Sequence, residues 1–202
     1  IDSYLLANQD KADEESLYTV WIGSNNYLAM PDDADAAVAR VISGIKSSLI
    51  KLVSKGAKQI LVVNLPDLGR VPIAREFDAT SFLTTCSSKH NDALAMEVEA
   101  LKSQYPDVQW IYFDVDKLLG GVFTSPEQYG FTNIEDTCYE SAIDKFSANN
   151  VLQMVAKIQP KKSTDACMGY LFFDPVHPTA PAHGMMAEKV RQIFAEAGVE
   201  FK

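Results

Sequence analysis

Three short apolar runs alternate with two long amphipathic stretches along the first half of the chain. Residues 17–22, 59–65 and 108–113 are rich in β-branched and aromatic side chains, a pattern typical of parallel strands covered on both faces. Between them, apolar side chains recur every three or four residues over 33–56 and 80–105, as on one face of a helix. The alternation predicts parallel βαβ units, and hence a three-layer α/β fold around a doubly wound parallel sheet.

Residues suited to helix ends mark the boundaries of these stretches. The acidic residues around Asp33 favour a helix start, Gly56 favours its end, and Pro106 closes the second stretch. A last helix is predicted over residues 181–197. The two amphipathic helices are therefore expected to connect the three strands.

The region between residues 118 and 169 lacks a clear period. Gly120-Gly121 and several proline-containing pairs indicate loops, and one helix is expected near 148–158. The sequence contains no internal repeat and no low-complexity linker, so residues 1–202 are predicted to form a single domain with an irregular insertion over about 118–169. Because three strands are few for a doubly wound sheet, we expect one or more further strands on sequence that precedes Ile1.

The charge balance argues against some classes of partner. The chain has 18 Lys and Arg residues against 27 Asp and Glu residues, a formal net charge of −9, whereas duplex nucleic acid and anionic membrane surfaces are bound by clustered cations. No apolar run approaches the roughly 20 residues that a membrane-spanning helix needs. We therefore expect no nucleic-acid partner and no transmembrane segment.

The sequence lacks the familiar metal, cofactor and nucleotide motifs. Its three cysteines are too far apart for a Cys-x-x-Cys pair, and its three histidines do not form His-Glu-x-x-His. There is also no Walker loop, no Gly-x-Gly-x-x-Gly and no Gly-x-Ser-x-Gly. Zinc, P-loop nucleotide and Rossmann cofactor chemistry therefore lack support, as does the nucleophile elbow of the common α/β-hydrolases.

Two short polar groups remain as candidate chemistry. Gly23-Ser24-Asn25-Asn26 follows the first strand, and Asp174-Pro175-Val176-His177 precedes the last helix. The amide of Asn25 suits donation to a bound oxygen, and an acid beside His177 suits general-base catalysis. Each group also has an ordinary explanation: a simple turn for the first, and a turn cap next to a surface histidine for the second.

Taken together, the two groups resemble sequence blocks of the SGNH, or GDSL, hydrolase family. Gly23-Ser24-Asn25-Asn26 is similar to that family's third block, Gly-x-Asn-Asp, and Asp174-Pro175-Val176-His177, continued by Pro178-Thr179, is similar to its fifth, Asp-x-x-His. The resemblance extends over residues 17–194 and includes the secreted bacterial lysophospholipase, phospholipase A and acyltransferase subgroup with its thermolabile-haemolysin-like proteins. It implies a flavodoxin-like three-layer fold.

This resemblance implies ester hydrolysis through a Ser–His–Asp triad, without metal or cofactor. His177 corresponds to the general base, Asp174 to the acid that orients it, and Asn25 to the side-chain donor of the oxyanion hole. The family's Gly-Asp-Ser block precedes its third block, and no Ser of this chain follows Gly-Asp. We therefore expect an N-terminal fragment of the same protein to supply the nucleophilic Ser. Asn26 stands where the family usually has Asp.

The function implied is that of a secreted bacterial lipolytic enzyme. It would be a lysophospholipase or phospholipase A, or an acyltransferase that passes the acyl group to another alcohol, with lipid or lysophospholipid as substrate. Two alternatives stay open. One is an esterase for short acyl esters or acetyl esters of carbohydrate, and the other is a non-catalytic binding domain on the same fold.

The remaining cysteines and histidines are assigned structural roles. In a secreted protein, Cys138 and Cys167 would form a disulfide, the alternative being two free thiols. Cys86 is expected to be a small buried residue, or to have a partner outside the chain. His90 is expected to be structural, and His183 to pack near the loop of the candidate base. Six aromatic residues either line an acyl-chain groove or belong to the core: Tyr129, Phe131, Tyr139, Tyr170, Phe172 and Phe173.

Overall fold

Helices and strands alternate along the first half of the chain, as the apolar pattern predicts. The computed structural model describes residues 1–139 and 167–199. The helices are α1 (Asp2–Ala7), α2 (Ser24–Leu28), α3 (Ala34–Ser54), α4 (Pro72–Glu76), α5 (Thr80–Gln104), α6 (Val115–Thr124) and α7 (Ala180–Glu196). The strands are β1 (Leu17–Val20), β2 (Gln59–Val63), β3 (Gln109–Phe113), β4 (Asn133–Thr137) and β5 (Tyr170–Phe172). Short 3-10 helices cover Leu68–Arg70 and Pro126–Tyr129.

The first three strands form one parallel sheet in the order β1-β2-β3. Val20 lies opposite Val62, and Val62 lies opposite Tyr112, so the carboxyl ends of the strands meet at one edge. The central strand is almost completely buried, with Ile60 and Val62 at 0% and 1% exposure, because its apolar run is covered on both faces. The predicted parallel arrangement is therefore confirmed.

Helices lie on both faces of this sheet. Leu61 and Val63 of β2 and Phe113 of β3 face α7 and line a groove beside it. The connecting helices α3 and α5 pack against each other and are joined by an ion pair between Lys46 and Glu97. Successive right-handed crossovers place two such helices together on the opposite face. The three-layer α/β fold is therefore confirmed.

The long helices begin and end where the sequence predicts. The side chain of Asp33 caps α3 by accepting the N–H of Ala36 at 2.9 Å, and Gly56, with φ of +115°, follows its last turn. α5 ends just before Pro106, and α7 begins after Thr179. None of the helices within residues 1–139 and 167–199 combines the length and the apolar character that crossing a bilayer requires.

β1 differs from the buried strand predicted over residues 17–22. The strand ends at Val20, and Trp21 and Ile22 are exposed, by 44% and 61%. The physical reason is the position of β1 at an edge of the sheet: it pairs with β2 on one side, and no other strand of the described residues pairs with its second side. The apolar run therefore predicts the strand correctly, but the prediction that the whole run is buried is wrong.

The region assigned to loops from residue 118 contains regular structure as far as residue 137. α6 continues through Gly120 and Gly121 to Thr124, and β4 follows a 3-10 turn. Gly121 lies close to Tyr129, since a Cβ there would be 2.7 Å from the hydroxyl of that partly exposed side chain. The prediction of irregular structure is wrong for this part, and the helix predicted near 148–158 lies outside the described residues.

A second, small sheet carries the disulfide bond. β4 pairs in parallel with β5, and Cys138, directly after β4, is bonded to Cys167, with the two Cα atoms 5.4 Å apart. The disulfide expected from the sequence is confirmed, and the alternative of two free thiols is wrong. Cys86 is a free and fully buried cysteine, which confirms its interpretation as a small core residue.

Most of the aromatic residues that could have lined an acyl-chain groove belong to the core. Phe131 and Phe172 are buried in the main core, and Tyr139 is buried against the disulfide, where Tyr170 and Phe173 also pack. Tyr129 alone of the six is exposed, by 37%. The core interpretation is therefore correct for this cluster.

Removing the disulfide is expected to lower the free energy of unfolding. The bond joins residues 29 positions apart, and restricting the unfolded chain by such a loop contributes about 3.5 kcal/mol. Urea denaturation of a double variant, Cys138→Ser with Cys167→Ser, measures the loss. The parent protein in dithiothreitol should reach the midpoint of the double variant, which should not itself respond to the reductant. Equal midpoints for the double variant and the oxidised parent would contradict the prediction.

Candidate active site

The loop that follows β5 pairs a buried carboxylate with a half-exposed imidazole. Oδ2 of Asp174 lies 2.7 Å from Nδ1 of His177, and Oδ1 accepts the backbone N–H groups of Val176 and His177 at 2.8 and 2.7 Å. The side chain of Asp174 is 6% exposed and that of His177 is 53% exposed. The carboxylate thus holds the ring by one nitrogen, and Nε2 has no hydrogen-bond partner among the described residues.

Main-chain hydrogen bonds fix this loop to its surroundings. The N–H of Phe173 donates to the carbonyl of His177 at 2.8 Å, which closes the loop on itself. The N–H of Ile73, in α4, donates to the carbonyl of Pro175 at 3.0 Å. The positions of the carboxylate and the ring are therefore set by the backbone as well as by their own contact.

The electrostatics of the pair suit a general base. Burial alone would raise the pKa of Asp174, but hydrogen bonds from the His177 side chain and from two backbone amides outweigh it and lower this pKa below its ordinary value. The hydrogen bond to Asp174 raises the pKa of His177, against the opposing effect of burial. An anionic carboxylate therefore stabilises the imidazolium that forms when the ring takes up a proton. Asp174 does cap a turn, and it binds the histidine as well.

Asn25 lies in the first turn of α2, just after the edge strand. Gly23 precedes this helix with φ of +126°, a conformation that favours glycine, and a Cβ there would lie 2.9 Å from Cε1 of His90. In place of the simple turn considered from the sequence, the chain enters a short helix here. The side chain of Asn25 is exposed and has no hydrogen bond to Asp174 or His177, which bond to each other.

Both groups belong to the carboxyl edge of the parallel sheet. Asn25 follows β1, and the segments that follow β2 and β3 hold the loop of Asp174. After β2, the N–H of Ile73 in α4 is hydrogen-bonded to the carbonyl of Pro175 in that loop. After β3, Phe123 of α6 packs against Phe172, just before the loop, with the ring centroids 6.4 Å apart. This is the edge at which open α/β sheets bind their ligands. That Asn25 and His177 share one cleft remains a prediction.

Two asparagines that were assigned no role from the sequence brace this edge. Nδ2 of Asn64, after β2, donates to Asp114 at 2.8 Å, and its Oδ1 accepts the N–H of Val115 at 2.8 Å. Asn91 of α5 donates to the carbonyl of Leu65 at 2.8 Å and accepts its N–H at 2.9 Å. An asparagine directly after an apolar strand is the sequence signal that could have identified Asn64, and the structure shows this side chain to be buried, at 3% exposure.

The other two histidines make their hydrogen bonds outside the pair. Nδ1 of His183 lies 3.0 Å from the carbonyl oxygen of Thr179, at the start of its own helix. His90 is fully buried and its Nδ1 lies 2.9 Å from the hydroxyl of Tyr27, which confirms a structural environment. In the described part of the chain, no group of three or more His, Cys, Asp or Glu side chains is arranged to hold a metal ion.

An open apolar groove runs beside the edge strand β1. It encloses about 510 Å³ between the sheet and α7. Its lining is mostly apolar and includes Leu17, Trp21, Leu61, Met186, Val190 and Phe194. No strand in the described part of the chain pairs with the outer edge of β1, and folded domains normally cover or interrupt such an edge.

Comparison with known proteins identifies relatives along almost the whole chain. A sequence model of the family described as GDSL-like lipase/acylhydrolase matches residues 3–190. Phosphatidylcholine-sterol acyltransferase of Aeromonas hydrophila is 28% identical over 96% of this chain and 64% of its own length. Secreted effector protein SseJ of Salmonella typhimurium is 25% identical over 96% of this chain and 43% of its own. Thermolabile hemolysin of Vibrio parahaemolyticus is 24% identical over 87% of this chain and 40% of its own length. The chain thus spans only 40% to 64% of these relatives' lengths.

Proposed function

The chain belongs to the family of GDSL-like lipases and acylhydrolases, and from this premise we propose that it is part of a lipolytic ester hydrolase with a Ser–His–Asp triad. His177 is the general base, Asp174 holds its ring, and Asn25 donates its side-chain amide to the oxyanion. The observation that carries the proposal is the 2.7 Å contact between Asp174 and Nδ1 of His177. It favours the tautomer in which Nε2 is free to accept a proton.

The proposed reaction is acyl transfer in two steps. Nε2 of His177 takes the proton of the Ser hydroxyl while the Ser oxygen attacks the acyl carbon, and the same proton then passes to the departing alcohol as its bond to the acyl carbon breaks. Water, or a second alcohol, repeats these steps and releases the acyl group from Ser. The amide of Asn25 would stabilise the negative carbonyl oxygen in both steps, an effect of about 3 kcal/mol on the barrier.

The nucleophilic Ser is proposed to come from an N-terminal fragment of the same protein, on sequence before Ile1. No serine hydroxyl within residues 1–139 and 167–199 is hydrogen-bonded to His177. The relatives are longer than this chain. Within the described residues no strand pairs with the outer edge of β1, and an apolar groove lies beside it. A strand added in parallel to β1 would end at the carboxyl edge of the sheet, on the same side as Asn25.

A lipid or lysophospholipid substrate is proposed from the relatives. One of them is named for transferring acyl groups from phosphatidylcholine to sterol, and another is named a hemolysin. The activity proposed is therefore that of a lysophospholipase or phospholipase A, with transfer to an alcohol such as a sterol as its variant.

Secretion is proposed for the same protein. The disulfide between Cys138 and Cys167 is of a kind that forms and persists in oxidising compartments. One relative is named a secreted effector. Recovery of the oxidised protein from the culture medium of the organism that produces it would test this part of the proposal.

The test of the proposed function uses the full-length gene product. It is incubated with a fluorophosphonate probe, which reacts with an activated Ser, and the labelled peptide is located by mass spectrometry. Hydrolysis of lysophosphatidylcholine is then compared with that of short-chain p-nitrophenyl esters and of acetylated xylan. We expect one labelled Ser, in a Gly-Asp-Ser context before Ile1, and preference for the long-chain substrate.

Each competing possibility has its own outcome in this experiment. Preference for acetyl or butyryl esters would favour the short-chain or carbohydrate esterase. No labelling of any species would favour a non-catalytic binding domain. Labelling of a Ser within residues 1–202 would overturn the proposed N-terminal source of the nucleophile and leave the triad partners intact.

A further inference from the structure

A buried tyrosine anchors the helix that carries Asn25. Tyr27 and Leu28 are the buried residues of α2, at 0% and 2% exposure, while Asn25 on the same helix is exposed. A helix of two turns or fewer has little stability of its own, so the position of Asn25 depends on what holds Tyr27. The anchor is therefore a determinant of where the proposed oxyanion donor lies.

Tyr27 is held by His90 of α5. The Tyr27 hydroxyl lies 2.9 Å from Nδ1 of His90, and the two rings meet edge to face with centroids 5.7 Å apart. His90 is 0% exposed, and its Nε2 has no hydrogen-bond partner among the described residues. Burial lowers the pKa of His90 to about 4, so the ring is neutral at the pH of ester hydrolysis and this contact does not change with pH there.

The same imidazole also sets the backbone at the entrance to the helix. Only a glycine fits at position 23, because a Cβ would approach Cε1 of His90 to 2.9 Å and Val41 to 3.2 Å. The His90 ring thus fills the space beside Gly23 that a side chain would need, two residues before Asn25. One side chain from α5 therefore lies beside the chain on both sides of the donor, next to Gly23 and in contact with Tyr27.

We propose that His90 and Tyr27 are positioning residues for the oxyanion amide of Asn25. The inference rests on the proposed function, since it assigns the anchor a role in the same reaction. His90 does not touch the substrate. It holds Tyr27 in place, and Tyr27 in turn fixes the position of the helix turn that carries the Asn25 amide. A displacement of about 1 Å at such a donor is enough to weaken stabilisation of the transition state.

The test is a double-mutant cycle in the full-length protein with a soluble ester as substrate. Asn25→Ala, Tyr27→Phe and the combination are compared by kcat and KM, with Tyr18→Phe as the matched control. Tyr18 loses a hydroxyl that bonds to Tyr4 and to the Asp13 carbonyl, away from α2. We expect kcat to fall about 10²-fold for Asn25→Ala and about 10-fold for Tyr27→Phe, with KM within about 2-fold of the parent.

The interaction between the two substitutions distinguishes positioning from general stability. If Tyr27 acts through Asn25, Tyr27→Phe should cause no further loss of kcat in the Asn25→Ala background. A second pair, His90→Asn and His90→Leu, checks the anchor independently. Asn keeps a polar atom near the position of Nδ1 and should retain a higher kcat than Leu.

The outcomes separate this inference from the function on which it rests. An unchanged kcat in Asn25→Ala would overturn the oxyanion role of Asn25 and this inference with it. A large loss in Asn25→Ala, combined with an undiminished effect of Tyr27→Phe in that background, would overturn this inference alone. A loss in Tyr18→Phe as large as in Tyr27→Phe would do the same.

Discussion

Replacing His177 with Ala is expected to lower kcat for ester hydrolysis by about 10⁴-fold or more in the full-length protein. Without the imidazole, no group takes the proton from the attacking Ser or returns it to the leaving alcohol. The amide of Asn25 would remain, so a small residual rate above that of water is expected. The measurement is kcat at saturating concentrations of a soluble ester.

The structure allows this loss to be separated from unfolding. The His177 side chain is 53% exposed and bonds only to Asp174 among the described side chains, whereas its N–H and carbonyl hold the loop through the backbone. The variant should therefore keep its backbone hydrogen bonds and a urea midpoint close to that of the parent. A kcat within about 10-fold of the parent would exclude His177 as the general base.

The long helices are the part of the fold that the sequence predicts best. α3 and α5 have 21 and 25 residues, so their apolar repeat extends over several turns and fits no other periodicity. α1 has only six residues, and nothing in its sequence predicts a helix. Its one buried side chain, Leu5, is 2% exposed, and its place depends on tertiary packing.

Errors in the prediction arise where a distant residue decides the local structure. Gly120-Gly121 is a loop signal by composition, but both residues lie within α6, which packs against the 3-10 helix at Pro126–Tyr129. Trp21 and Ile22 have side chains typical of a buried strand, but they follow the end of an edge strand and are exposed. Neither the neighbour nor the edge is visible in a local pattern.

The candidate site shows the same division between local and distant information. Asp174 and His177 are three residues apart, so a single turn brings them together, and the spacing makes the pair a candidate that the resemblance to a known family then supports. The contact between Tyr27 and His90 joins residues separated by 63 positions. The sequence indicates that His90 lies on an apolar helix face, but only the packing of α2 on α5 shows what it holds.

Replacing Asp174 with Asn is expected to lower kcat by about 10⁴-fold with little change in side-chain volume. Asn can still accept the two backbone N–H groups through Oδ1, but its NH₂ group then faces Nδ1 of His177. The ring would present its lone pair to that amide and carry its proton on Nε2, the wrong tautomer for a base. Asp116→Asn is the matched control, because it makes the same substitution at another partly buried carboxyl, one that has no bond to His177. The pKa of Asp116 is raised, chiefly by burial.

The pH dependence shows whether Asp174 acts on the ring or only supports the loop. In the parent, the hydrogen bond to Asp174 raises the pKa of His177 above its ordinary value. The base must be neutral, so kcat/KM should fall as the pH drops through this raised pKa, and the acid limb should lie above about 6.5. In Asp174→Asn the stabilising anion is gone, and the residual activity should have its acid limb at lower pH. An acid limb that stays in place while the urea midpoint falls would mean that Asp174 acts only through the fold of the loop.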